Sequence, residues 1–130
     1  MADYPKDLKY TKDHEWAKVE GDLVRVGITA YAVEQLGDVT LVDLPKVGSK
    51  LDNHARFGDI ESVKTVSELF APIAGEVVEV NPKLEANPEA VNESPYDSGW
   101  MVVIRAANPA DLASLMDAAA YEAYLGSLDH

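Results

Sequence analysis

Through Arg105 the chain never holds one hydrophobic period for longer than a short strand or a two-turn helix. Trp16-Ala17-Lys18-Val19-Glu20 roughly alternates, Gly21-Asp22 turns it, and Leu23-Val24-Arg25-Val26-Gly27-Ile28 follows, which is a hairpin signature. Thr29 reads as an N-cap, Ala30 to Leu36 as helix and Gly37 as its stop. Val39 to Leu44 is apolar and β-branched, and Pro45 closes it. Asp59 to Val63, Val66 to Ala71, Gly75 to Val80 and Trp100 to Arg105 are further predicted strands. Short strands cut so often by Gly, Pro and Asn can bury their apolar faces only by stacking as small sheets.

A faint internal echo narrows the arrangement. VTLVDLPKVGSKL (39–51) and VSELFAPIAGEVV (66–78) share a frame in which Pro45 aligns with Pro72 and Gly48 with Gly75. Two such β-turn-β units facing one another predict a flattened sandwich of two small sheets with the ends of the units exposed. Lys83 to Gly99 reads as a loop with one helical turn. Pro109 to Leu125 is a run of strong helix formers, with Leu112, Leu115, Met116, Ala119 and Tyr124 as its stripe and Gly126 as its stop. It is expected to pack on the β core. The whole, 1–130, is expected to be one domain, mainly β, with a short helix in its N-terminal half and a C-terminal helix over 109–125.

Composition excludes several functions. There are 130 residues and no cysteine, so neither a disulfide framework nor a thiol site is available. Eleven Lys and Arg against 23 Asp and Glu give a net charge of −12, which repels phosphate backbones and attracts basic docking faces. Nucleic acid is not an expected partner. MADYPKDLKYTKDHEW lacks an apolar leader core, and no apolar run approaches membrane-spanning length, so a soluble, cytoplasmic protein is expected. His14, His54 and His130 lack metal-ligand spacing, and no nucleophile–base pair is visible.

One residue asks for an explanation. In IESVKTVSELFAPIAG (60–75), Lys64 is the sole basic residue between Arg56 and Lys83. Val63 and Val66 are expected to anchor a tight turn centred on Lys64-Thr65, presenting the amine on a rigid support. Glu61 and Glu68 would place carboxylates on either side of it. That argues against a Schiff-base or general-base lysine, which needs desolvation or a neighbouring cation. A lone lysine on a defined turn suits enzymatic acylation better than ionic binding. The plain alternative is an ordinary solvated lysine.

Taken together, YTKDHEW (10–16), VGIT (26–29), LGDVTLVDLP (36–45), ESVKTVSE (61–68), APIAGEVVEVN (71–81), VNESPYDSGW (91–100) and DLASLMDAAAYEAYL (111–125) resemble the H-protein family of the glycine cleavage system, nearly end to end. The resemblance implies a lipoyl/biotinyl-like barrel-sandwich hybrid. It implies that Lys64 carries lipoic acid as N6-lipoyl-lysine and that the lipoylating enzyme reads Glu61 and Gly75. Glu15, Ser67 and Glu68 match positions lining the cleft where the loaded arm rests.

The implied function is a non-catalytic shuttle, expected to be monomeric. It takes the aminomethyl group of glycine from a pyridoxal-phosphate glycine decarboxylase to a tetrahydrofolate-dependent aminomethyltransferase, and is reoxidised by dihydrolipoyl dehydrogenase. Ala30 stands where many relatives carry Asp, Glu68 where Asp is frequent, and LDNHARFG (51–58) follows no family pattern. An alternative keeps the lipoyl or octanoyl group but makes the chain a relay donor to 2-oxoacid dehydrogenase subunits. A biotin carrier is disfavoured because Val63 and Thr65 replace the flanking methionines. An unmodified acidic binding module is the remaining alternative.

Overall fold

The computed structural model describes residues 5–53 and 55–128; His54 and His130, whose spacing argued against a metal site, lie outside them. Among the described residues nine strands form two antiparallel sheets. In chain order they are β1 (Lys9–Tyr10), β2 (Glu15–Glu20), β3 (Leu23–Ile28), β4 (Val39–Asp43), β5 (Lys50–Leu51), β6 (Arg56–Ser62), β7 (Val66–Phe70), β8 (Gly75–Val80) and β9 (Val102–Ala106). The larger sheet has the order β1-β2-β3-β9-β8-β5 and the smaller β4-β6-β7. The two-sheet barrel-sandwich hybrid expected from sequence is the architecture found.

The core lies between the sheets. Val24 and Val26 of β3, Val77 of β8, and Val102 and Ile104 of β9 are buried on one side, and Val42, Ile60 and Leu69 on the other. Each such side chain removed from water contributes about 1.5–3 kcal/mol. The internal echo has a structural counterpart. β4 and β7 both pair with β6, while β5 and β8 pair with each other, Lys50 opposite Glu76 and Leu51 opposite Gly75. Each unit therefore leaves the small sheet, passes its proline and joins the large one.

β1 and β5 went unrecognised in the sequence because two residues are too few to show alternation. The 83–99 loop holds two single-turn helices, α2 (Lys83–Ala86) and α3 (Ala90–Glu93), rather than one. The first helix, α1 (Ala30–Leu36), is capped by the Thr29 hydroxyl, which accepts from the Ala32 N–H, as expected.

The expected continuous helix over 109–125 is in two pieces: a 3₁₀ helix, Pro109–Ser114, and α4 (Ala118–Leu128). Between them Met116 exchanges backbone hydrogen bonds with Tyr10, at 2.7 and 2.9 Å, and this strand-like bridge displaces the helical ladder. The Asp117 carboxylate then accepts from the Ala120 N–H and restarts the helix. The break changes the buried face. Ala118, Tyr121 and Leu125 are inside and Ala119 is exposed. Gly126 does not stop the helix, which runs on to Leu128. Tyr121 stacks on Tyr10 with ring centroids 4.8 Å apart, so α4 packs on the β1–β2 end of the large sheet.

Candidate functional site

Lys64 lies in the bend between β6 and β7. The Ser62 N–H donates to the Thr65 carbonyl at 2.8 Å, and the Ser62 hydroxyl accepts from the Lys64 and Thr65 N–H groups at 3.2 Å each. This is a four-residue bend organised by a serine, not a two-residue turn anchored by valines. Val63 and Val66 are 68% and 60% exposed, so their side chains do not anchor the turn by burial. The other fixed point is the Val63 N–H, which donates to the Asp38 carbonyl at 3.1 Å and ties the bend to the segment after α1. Serine's habit of accepting from backbone N–H groups a few residues on was a readable signal in ESVKT.

The Lys64 side chain extends over Gly37. A Cβ built on Gly37 would lie 3.1 Å from Lys64 Cε, and Gly37 has a φ of +76°. Glycine thus serves there twice, as the left-handed stop of α1 and as open space for the lysine stem. Among the described residues no ion pair engages Lys64 or Glu61. Of the two carboxylates expected beside the amine, Glu68 pairs instead with Arg56 at 3.3 Å, and Arg56 also grips Asp59.

Beside this bend opens a cleft of about 390 Å³, bounded by β7, α1 and residues 12–14. β7 is an edge strand, so the cleft runs along its unpaired side. Ile28, Leu36 and Leu69 supply apolar lining, and His14, Ser67 and Glu68 polar lining. Thr65, next to Lys64, stands on its rim.

Two ties stiffen this wall. His14 has a φ of +66°, and its Nδ1 lies 2.9 Å from the Tyr121 hydroxyl. That hydroxyl is also 2.8 Å from the Thr29 hydroxyl, the cap of α1. Burial lowers the affinity of His14 for a proton, partly opposed by neighbouring Asp13. His14, Tyr121 and Thr29 were not foreseen as a group because they come together only through tertiary packing.

Glu15, expected to line the cleft, does not face into it. It is 1% exposed and lies beneath the wall. Its Oε2 accepts from the Phe70 N–H at 2.6 Å, capping the free edge of β7, while Oε1 has no hydrogen-bond partner among the described residues. Burial pushes the carboxyl well above its usual range, the Phe70 N–H opposes this, and Asp13 adds to it. Glu61 sits on β6 opposite Val66, one pair from the bend. Gly75 is not at the bend but beyond the far end of β7, in the other sheet. A Cβ there would fall within van der Waals radii of the Arg105 carbonyl oxygen and of Ile104 Cγ2, so close strand packing explains this glycine.

Among the described residues no group of three His, Cys, Asp or Glu could hold a metal ion, and no helix is long and apolar enough to cross a membrane.

The family model for the glycine cleavage H-protein matches residues 8–127. The chain belongs to the glycine cleavage H-protein family. The match runs from the residue before β1 almost to the end of α4. Among curated H-proteins, the chain is 55% identical to that of Symbiobacterium thermophilum over 124 residues, covering 95% of this chain and 97% of the relative. It is 53% identical to that of Bacteroides fragilis, covering 95% and 98%. The crystal structure of a glycine cleavage system H protein from Mycobacterium marinum superposes with a TM-score of 0.87 at 40% identity, covering 95% of this chain and 99% of that one. Residues 51–58, which lie within the family match, supply Leu51 of β5, the start of β6, the buried Phe57 and the Arg56 that pairs with Glu68.

Proposed function

We propose that this chain is the lipoyl carrier of a cytoplasmic glycine cleavage system, a single domain bearing lipoic acid in amide linkage to Lys64. The observation that carries the reading is the placement of Lys64. Its side chain is exposed on a bend fixed by Ser62 and Asp38, and no ion pair among the described residues competes for the amine. A ligase can reach such an amine without unfolding anything, and a rigid base keeps a long arm from collapsing onto its own carrier.

The residues around it suit the group. The Gly37 surface accepts a lysine stem, and the adjoining cleft combines apolar side chains with His14, Ser67 and Glu68. A lipoyl group held there in amide linkage to Lys64 would supply the disulfide chemistry for aminomethyl transfer between glycine decarboxylase and the aminomethyltransferase, with dihydrolipoyl dehydrogenase as the oxidant of its dithiol. The chain itself contributes position, not catalysis. Lys64 tethers, so delivery within a docked complex replaces diffusion of a free cofactor. The cleft walls, held by the His14–Tyr121–Thr29 contacts, limit access of water to whatever rests between them. Glu15 holds the edge of β7 in place from below.

The test is intact-mass analysis after incubation with a lipoate–protein ligase, ATP and lipoate. One lipoyl amide is expected, mapped to Lys64, and none on Lys64→Arg, which keeps the charge but offers no acylable amine. A lipoylated Lys64→Arg protein refutes the assignment.

A further inference from the structure

The outer face of the small sheet carries an arrangement that the carrier role does not use. The register places Leu41, Glu61 and Val66 in one cross-strand row beside the Lys64 bend, and Asp43, Asp59 and Glu68 in the next row of the same face. Val42 and Ile60, which alternate with them, point into the core. Five large apolar side chains are exposed among the described residues, and three of them lie near this corner, Leu41 at 48% and Val66 at 60% on either side of Glu61 and Val63 at 68% in the bend. Arg56 partly offsets the acidic row behind them, through ion pairs with Asp59 and Glu68 and through its charge interaction with Asp43, while no ion pair engages Glu61 among the described residues. An apolar corner backed by net negative charge, at the root of the one lysine the function needs, is a contact surface with a definite complement.

We infer that Leu41, Val63 and Val66, with Glu61 among them, form the docking surface for the enzyme that acylates Lys64, and that this enzyme meets them with an apolar patch rimmed by Lys or Arg. The inference rests on Lys64 being the acceptor. Reach selects the occupant. An enzyme that acts on the bare amine must bring its own reactive atoms within one lysine stem of the bend, so it necessarily covers the adjoining row. Enzymes that act on the far end of a lipoyl arm are separated from the bend by the whole acyl chain and need not touch it. The acidic row then sets charge complementarity and orientation, and the apolar corner supplies the area that leaves water.

The experiment is steady-state acylation of the unmodified full-length protein by a lipoate–protein ligase with ATP and lipoate. It compares the parent with the double variant Leu41→Thr/Val66→Thr, which keeps strand propensity and removes apolar contact. KM for the carrier is expected to rise about tenfold with kcat little changed, because binding and not chemistry has been altered. Val47→Thr, equally exposed but remote from the bend, serves as the surface control, and its KM is expected to stay within about twofold. A double variant that is still acylated on Lys64 with an unchanged KM overturns the docking surface and leaves the Lys64 assignment standing. A lipoylated Lys64→Arg protein overturns both. A KM rise confined to the already lipoylated double variant with glycine decarboxylase or the aminomethyltransferase also overturns it, since the corner would then belong to those enzymes.

Discussion

The Asn92 side-chain amide donates to the Gly37 carbonyl at 2.7 Å, while its Oδ1 accepts from the Val39 N–H at 2.8 Å. Between those two anchors the Asp38 carbonyl accepts from Val63 in the Lys64 bend. One asparagine in α3 therefore fixes the surface over which the lysine extends. Asn92→Ala orphans a donor and an acceptor in a partly buried place, and a loss of about 2–4 kcal/mol is expected in urea denaturation. Asn92→Asp keeps the acceptor for Val39 but sets a carboxylate against the Gly37 oxygen, and it is expected to fare no better. A loss below about 0.5 kcal/mol in both would show that water substitutes for the clamp.

Glu15 makes stability depend on pH in an uncommon direction. Its carboxyl is held above the usual value of 4.5, first by burial, so folding favours the protonated form. The contribution is fully present below 4.5 and is lost as pH rises towards the folded-state value, because the unfolded chain releases the proton first. Denaturant midpoints measured from pH 4.5 upward are expected to fall more steeply for the parent than for Glu15→Gln, which cannot ionise. Parallel profiles would show that Glu15 ionises as readily in the fold as in the unfolded chain.

Glu61 and Gly75, paired on sequence as recognition residues, are expected to behave differently. Glu61 has no ion pair among the described residues, and Glu61→Ala is expected to slow lipoylation while changing stability by less than about 0.5 kcal/mol. Gly75→Ala drives a Cβ into the Arg105 carbonyl and is expected to cost about 3 kcal/mol or more, with slower lipoylation following from the damaged sheet. Thermal melts beside acylation rates separate the two. A Gly75→Ala protein with an unchanged melting temperature and slow acylation would make Gly75 a contact residue for the ligase.

Much of the fold was legible because its signals are local. The hairpin of β2 and β3 announces itself through alternation around Gly21-Asp22, and α1 through Thr29 and Gly37. Even the pairing of β5 with β8 had a trace in the repeated Pro and Gly spacing. The C-terminal segment misled for the opposite reason. Its residues favour helix throughout, and only the bridge from Met116 to Tyr10, over a hundred positions away, breaks the run and turns Tyr121 inward.

What the residues determined unaided is the list of short strands, their caps and turns, and a solitary lysine between them, because propensity and periodicity act over a few neighbours. Tertiary structure alone decided that Glu15 lies beneath the cleft rather than within it, that Arg56 occupies Glu68, and that Asn92 holds the ground over which Lys64 extends. These are contacts between segments distant in the chain, and their geometry exists only once two sheets have closed over one core.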